Sequence, residues 1–353
     1  MSGLRLPPEW EPHLGTWFSW PHNTQTWPDC LGAAEHAVTE AVVALAPFET
    51  VHINVLDEEH RVRVASRFTG RIPEDRLHFH VIPTNDAWCR DHGAIFVLRD
   101  GLVEALDFRF NAWGGKYPPW DLDDAAGARM AQALNVPCER GDRVLEGGSV
   151  EVNGARTCLT TEQCLLNPNR NPGLSRGEIE RTLGQYLGVS QVIWLGEGIA
   201  GDDTDGHIDD LTRFVAWDTV VTAVEPDPLD ANHLPLADSL ERLRTARLPD
   251  GSKLRILELP MPPPLFRHGE RLPASYANFY IGNGVVLMPT FDPVTDAQAT
   301  RVLAHCFPTR RIVPIDAREL VVGLGTFHCL TQQIPVSATA ALLSAGSIRQ
   351  GKE

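Results

Sequence analysis

Five stretches of this 353-residue chain set polar, reactive side chains beside a small residue, a β-favouring run or both. This recurrence constrains the fold more than any single motif. The stretches are Arg90-Asp91-His92-Gly93 before Ala94-Ile-Phe-Val97, Glu146-Gly147-Gly148 before Ser149-Val-Glu-Val152, and Gly206-His207-Ile208-Asp209 before the run 211–217. Asn278-Phe-Tyr-Ile-Gly282 and Gly325-Thr-Phe-His328-Cys329 complete the series. Taking positions 91, 146, 207, 278 and 329 as markers, the steps are 55, 61, 71 and 51 residues. A unit of about 60 residues used five times fits the length better than two unrelated domains, and self-similarity of this kind is the signature of ring or stacked architectures.

Between the markers, strand-like and helix-like segments alternate. Val51–Val55, Ala94–Leu98, Thr219–Val224, Val285–Met288 and Ile312–Ile315 are β-rich apolar runs. Leu31–Leu45 carries apolar residues at helical spacing and stops before Pro47, and Leu234–Leu248 is a second amphipathic segment. Ser175-Arg-Gly-Glu178 and Thr295-Asp-Ala-Gln298 have capping-box spacing, which predicts helices starting there. End-to-end alternation predicts an α/β class. The 27 prolines and 29 glycines are dispersed, so no linker divides the chain, and residues 1–353 are read as a single catalytic domain.

The charge balance narrows the partner. Lysine and arginine number 31 against 46 acidic residues, a formal net charge of −15, with no basic run to grip a nucleic acid or an anionic membrane. The balance favours a cationic small molecule, although solubility alone would account for it. No apolar run approaches the ~20 residues that span a bilayer, and the first residues lack the apolar region of a signal peptide. Seven cysteines without a Cys-x-x-Cys pattern disfavour a disulfide framework and a structural zinc site. The expectation is a cytoplasmic protein with reduced thiols and neither metal nor organic cofactor; a homo-oligomer is left open.

Several motifs have to be weighed against plainer readings. Gly196-Glu-Gly-Ile-Ala-Gly201 matches a dinucleotide-binding pattern, but Asp202-Asp203-Thr204-Asp205 follows where a helix N-terminus should receive the pyrophosphate. His207-Ile208-Asp209 would project imidazole and carboxylate from one face of an extended segment, which suits proton transfer beside a carboxylate that holds a cation. A satisfied surface pair is the alternative. Cys329 lies in a glycine-bearing stretch beside His328, a setting for a nucleophilic thiol or, given Phe327 and Leu330, for a buried inert one. Cys89, next to Arg90-Asp91, is the other cysteine with polar surroundings. Trp88 and Trp113 supply faces that stack on a flat cation, although most of nine tryptophans belong in a core. No P-loop, His-Glu-x-x-His or Gly-x-Ser-x-Gly pattern occurs. A thiol, an imidazole, several carboxylates and indoles together suit a planar guanidinium, whose N–H fork pairs with carboxylates.

With these residues in view, the sequence resembles the agmatine deiminase and bacterial peptidylarginine deiminase family of guanidine-modifying enzymes. The resemblance runs from Gly15-Thr-Trp-Phe-Ser-Trp-Pro21 to Gln332-Gln333. It is carried by Asn85-Asp-Ala-Trp-Cys-Arg-Asp91, Phe110-Asn-Ala-Trp-Gly-Gly115, Leu145-Glu-Gly-Gly148 and Leu166-Asn-Pro-Asn-Arg-Asn-Pro172. Gly201-Asp-Asp-Thr-Asp-Gly-His-Ile-Asp209, Ala274-Ser-Tyr-Ala-Asn-Phe-Tyr-Ile281 and His328-Cys-Leu-Thr-Gln-Gln333 complete the set. The resemblance implies a five-bladed α/β propeller of pseudo-repeated ββαβ units. It implies Cys329 as nucleophile, His207 as general acid/base, Asp91 and Asp209 as the guanidinium clamp, Glu146 in the same catalytic group, and Trp88 and Trp113 lining the substrate pocket. Two departures stand beside the chemistry: His92 and Ala94 replace a usual Thr and Pro, and Gly323-Leu-Gly-Thr-Phe replaces a usual Gly-Gly-Gly-Asn-Ile.

The expected reaction is hydrolysis of agmatine to N-carbamoylputrescine and ammonia through a covalent thiouronium on Cys329, supplying putrescine and polyamine biosynthesis. Free or peptidyl arginine is the alternative substrate, with Arg109 and Lys116 the nearest candidates to anchor a carboxylate. An amidinotransferase or a non-catalytic guanidinium-binding module are the competing classes.

Overall fold

In the computed structural model, which describes residues 3–337, each of the five polar stretches leads into the first strand of a β-β-α-β unit. The first unit pairs Ile95–Arg99 antiparallel with Leu102–Arg109, crosses over through the helix Ala126–Leu134, and adds Cys138–Val144 in parallel. The second does the same with Glu151–Val152, Thr157–Thr161, the helix Arg176–Leu187 and Gln191–Leu195. Thr212–Ala216, Thr219–Val224, the helix His233–Thr245 and Arg255–Pro260 form the third. Tyr280–Ile281, Val285–Thr290, the helix Pro293–Cys306 and Arg311–Asp316 form the fourth. The fifth joins the two ends of the chain. Thr331–Pro335 lies antiparallel to His13–Ser19, and the helix Leu31–Leu45 leads to Thr50–Val55. Leu4–Arg5 extends the first sheet and Leu77–Val81 the fifth. A parallel pair needs a crossover, and the amphipathic segments supply one in every unit. The mixed α/β class expected from the sequence is therefore found.

The crossover helices also stitch the sheets together. His233–Thr245 packs on its own sheet and on Gln191–Leu195 of the preceding one, Pro293–Cys306 reaches back to Arg255–Pro260, and Leu31–Leu45 reaches back to Arg311–Asp316. Among the described residues, no helix is long and apolar enough to cross a membrane.

Local signals set most boundaries. Leu31–Leu45 is helical over the expected residues, and Ser175 forms a reciprocal capping box with Glu178. One expectation is corrected. The helix near Thr295 starts at Pro293, because the Asp292 side chain accepts from the N–H groups of Val294 and Thr295 and proline fits the first helical position.

Beneath the first strands lies a buried charged network. Glu9 accepts from Arg213 Nη2 at 2.9 Å, from Arg90 Nη2 at 3.0 Å and from the N–H of Ile281 at 2.8 Å, and lies 2.9 Å from His328 Nε2. Arg213 also donates to Glu151 and to the carbonyl of Phe279. Burial would raise the Glu9 carboxyl, but Arg213, His328 and Arg90 hold it well below the usual carboxylate range. Buried charges persist only when paired in this way. The partners come from the N-terminal segment and from all five units, so the network fixes the units against one another under the site.

Candidate active site

The polar markers sit on short helical turns that immediately precede the first strands. Asp91 lies on the turn Cys89–His92, Glu146 precedes the turn Gly147–Ser149, His207 precedes Ile208–Asp210, Asn278 closes Tyr276–Asn278, and Cys329 stands two residues before Thr331. Glu146, His207, Asp209, Asp91 and Cys329 are all buried. Their convergence is clearest around Gly148. A Cβ there would lie 2.6 Å from His207 Nδ1, 2.8 Å from Asp91 Oδ1 and 3.2 Å from Asp209 Oδ2. Only glycine leaves room for the three groups to meet. Gly148→Ala is accordingly expected to lower kcat/KM by at least about 100-fold, roughly 2.7 kcal/mol, while the thermal unfolding curve remains cooperative; near wild-type turnover would show that the three groups need not meet.

His207 and Asp209 were expected to share a face of an extended segment. They instead flank the start of a 3₁₀ turn. Both side chains still point to the same place, because the turn swings Asp209 back toward the imidazole.

An open cleft of about 800 Å³ reaches this region, with Trp88, Asp91, Trp113 and Cys329 among its lining residues. The Trp113 indole donates to Asp91 Oδ2 at 3.0 Å. It is aimed there by a left-handed backbone: Ala112 and Trp113 have φ of 50° and 53°, a costly conformation for non-glycine residues that tends to be retained where a site needs it. Asn111 supports the bend by accepting from the N–H of Gly114 at 2.9 Å. At Gly325 a Cβ would meet the Trp88 ring at 2.7 Å and Cys329 Sγ at 3.1 Å. The glycine in the departing Gly-Leu-Gly-Thr-Phe stretch is what lets thiol and indole face the same space.

The thiol is surrounded by acceptors and donors. Asn278 Nδ2 donates to Cys329 Sγ at 3.0 Å, and Asp209 Oδ2 lies 3.6 Å from the sulfur. Asn278 Oδ1 in turn accepts from Thr326 and from the N–H of Cys329. Asp209 Oδ2 also accepts from His328 Nδ1 at 2.6 Å, while Asp209 Oδ1 is buried without a partner. Burial, Asp209, Asp210 and Asp91 push the Cys329 thiol well above its usual range. Burial opposes charge on His207, but Asp91, Cys164 and Asp209 raise its pKa well above the ordinary histidine value. Burial pushes Asp91 up to about 6 against the pull of His207. Asp209 resists its burial because His328 holds it down. The site is therefore a carboxylate-rich chamber that favours the charged form of the His207 imidazole and the neutral form of the Cys329 thiol, poised for a cation.

Glu146 Oε1 accepts from Arg170 Nε at 2.6 Å, and Arg170 also binds Asp205 and the carbonyl of Thr204. Arg170 was not singled out individually by sequence reasoning; a lone arginine between asparagines gives no periodic or pairing signal. His328 and Asn278 were visible in their motifs but without roles. Arg109 is exposed on its strand and lines no part of the cleft. Lys116 does line it, with Nζ donating to Asp205 and to the carbonyl of Asp203. Of the acids in the stretch 202–205, Asp203 lines the cleft. Asp202 is turned into its own loop, accepting from Thr204, Gly206 and His207. Cys89 is fully buried and burial pushes its thiol up to about 12, which makes it inert. His92 is buried edge-on to Phe110 and lies outside the cleft lining.

A family model described as Porphyromonas-type peptidyl-arginine deiminase matches residues 5–335. The agmatine deiminase of Pseudomonas aeruginosa is 38% identical over 363 residues, covering 96% of this chain and 97% of that protein. A solved structure of the agmatine deiminase of Enterococcus faecalis superposes with a TM-score of 0.88 at 33% identity, over 95% of this chain and 96% of that one. An agmatine deiminase of C. jejuni with substrate bound, in which a serine replaces a cysteine, gives a TM-score of 0.87 at 33% identity over 95% and 97% of the two chains. The match across nearly the whole length places the chain in the Porphyromonas-type peptidyl-arginine deiminase family.

Proposed function

We propose that the protein hydrolyses the guanidinium of agmatine, releasing ammonia and N-carbamoylputrescine. The observation that carries this reading is the unpartnered Asp209 Oδ1, buried on a carboxylate whose other oxygen lies 3.6 Å from the Cys329 sulfur, at a tryptophan-walled cleft that Cys329 and Asp91 line. Buried polar atoms without partners call for a ligand that satisfies them, and a guanidinium has both the N–H donors and the charge.

In the proposed path the cation sits between Asp91 and Asp209, which accept its N–H groups. Its charge offsets the carboxylates that keep Cys329 a thiol, and the thiol proton leaves to solvent. The sulfur attacks the guanidinium carbon, and the C–N bond to the departing nitrogen breaks as His207 gives that nitrogen a proton. Ammonia leaves a thiouronium on Cys329. Neutral His207 then takes one proton from water as its oxygen bonds to the carbon, the C–S bond breaks as the remaining hydroxyl proton passes to the sulfur and restores the thiol, and the ureido product departs. Glu146, held by Arg170, supports His207. The five ββαβ units are read as the blades of a propeller in one catalytic domain. The shared sheet of the two chain ends supports that closure, and seven free cysteines support a reducing, cytoplasmic setting. Formation of N-carbamoylputrescine would place the enzyme on a route to putrescine.

A second reading, deimination of free or peptidyl arginine, is favoured by Lys116 at the cleft, the one lysine or arginine among its lining residues. Agmatine is expected to exceed arginine at least tenfold in kcat/KM, about 1.4 kcal/mol. Lys116 is already engaged by Asp205, and a carboxylate buried among Asp91, Asp203 and Asp209 without a cation partner is costly. Ammonia release should be measured for agmatine, arginine, arginine peptides and methylated arginines, with Lys116→Ala and Arg109→Ala alongside. Arginine equal to agmatine, with that activity erased by Lys116→Ala, overturns the assignment. A ureido product formed without an added amine acceptor rules against an amidinotransferase.

A further inference from the structure

Cys164 is a fully buried thiol that the reaction does not use, and it lies against two residues that the reaction does use. A carboxylate oxygen of Glu146, the sulfur of Cys164 and a ring nitrogen of His207 all lie within 4.8 Å of one another. Glu146 Oε2 and both ring nitrogens of His207 are buried without hydrogen-bond partners. We propose that Glu146, Cys164 and His207 form a binding site for a thiophilic divalent cation of the zinc class, and that its occupation stops turnover by withdrawing His207 and Glu146 from the reaction.

The donor set suits such an ion. Zinc takes thiolate, imidazole and carboxylate at about 2.0–2.3 Å, so its donors end up roughly 3.2–3.8 Å apart, and the present spacing of up to 4.8 Å has to close to that range as the ion binds. Thiolate and carboxylate together balance the two charges of the ion, and a fourth position is left for water. Glu146 is held from behind, as metal ligands generally are, and the backbone that carries the other two ligands is tied down. Arg170 Nε grips Glu146 through Oε1 and leaves Oε2 free. Thr161 ties the other two ligands together: its hydroxyl accepts from the N–H of Cys164 at 3.2 Å and donates to the carbonyl of Gly206, the residue before His207. Cys164 lies on the turn Glu162–Leu165 that Thr161 caps, so the sulfur is fixed relative to the imidazole by one side chain.

Among the described residues, one other trio has this spacing, Asp209, Asp210 and Cys329. It shares its thiol with the proposed nucleophile, and one Asp209 oxygen is already engaged by His328. The two sites therefore make different demands on the two cysteines.

The test titrates the intact protein with Co²⁺, which reports a bound thiolate by a sulfur-to-cobalt charge-transfer band, and with Zn²⁺ in the ammonia-release assay. The wild type should show the band, Cys329→Ser should keep it, and Cys164→Ser should lose it. Cys164→Ala serves as a second variant should serine in that buried position prevent folding. The half-inhibiting Zn²⁺ concentration, measured for the wild type and for Cys164→Ser each against its own uninhibited rate, should rise at least tenfold in Cys164→Ser. Absence of the band from the wild type, or a band lost in Cys329→Ser but kept in Cys164→Ser, overturns the site. Unchanged zinc sensitivity in Cys164→Ser overturns the inhibitory role. The inhibitory role rests on the reading of His207 as acid and base, whereas the cobalt band is recorded without substrate, so failure of one is distinguishable from failure of the other.

Discussion

Replacing Cys329 by serine is expected to lower agmatine turnover by at least about 10⁵-fold, the scale on which loss of a nucleophile acts in hydrolases that work through a covalent intermediate. Oxygen for sulfur hardly changes volume, and the Asn278 amide that donates to the sulfur at 3.0 Å can donate equally to a hydroxyl, so the fold should persist. The loss is chemical. A buried thiol already pushed well above its usual range by Asp209, Asp210 and Asp91 reaches its anion only when the substrate's charge arrives. An alcohol, several pKa units weaker as an acid, does not reach it at all. Agmatine should therefore still bind to the serine variant, and equilibrium binding should be measured beside ammonia release. Acid quench of the wild type during turnover should show a mass increase on the peptide containing Cys329. Retained turnover in the variant, or product accumulating with no adduct on that peptide, would end the assignment of the nucleophile.

Much of this site was legible in the chain because each unit begins alike. A polar residue that must face the common centre sits on a turn, and a strand follows at once, so chemistry and β-propensity recur together at similar spacing. Asp91, Glu146, His207, Asn278 and Cys329 all obey that rule. What escaped were residues whose partners are distant in sequence. Glu9 is joined to Arg213 and His328 across most of the chain, and Arg170 to Glu146 across 24 residues. Each looks in isolation like an ordinary surface charge. The two-residue period assumed for His207 and Asp209 was wrong for the backbone, because a 3₁₀ turn intervenes, although the convergence it was meant to explain is present. Arg109 misled by nearness alone: it is a short step in sequence from Trp113, but the strand that carries it turns its side chain to solvent.

His207→Gln is expected to lower kcat by about 10⁴-fold with a much smaller change in substrate affinity. General acid and base groups contribute up to that scale, and the same imidazole serves both the ammonia-releasing and the water-attacking half of the proposed path. Asp209→Asn should behave differently, because in the proposed path its carboxylate holds the cation before any bond changes. The neutral amide weakens ground-state binding and raises KM as well as lowering kcat. The pH profile supplies a second, independent check. Against its burial, Asp91, Cys164 and Asp209 raise the pKa of His207 well above the ordinary histidine value in the empty site, and the first half of the proposed path consumes its proton. The limb of kcat/KM that reports His207 should thus be a loss of activity as pH rises, with its midpoint above the usual 6.5. Asp91, pushed up to about 6, should give the opposite limb, activity falling as pH drops and the clamp takes up a proton. A His207 variant with the same kinetic signature as Asp209→Asn, or a wild-type profile whose high-pH loss has its midpoint at or below 6.5, would reassign the proton to another group, with His328 next in line because it already bridges Asp209 and Glu9.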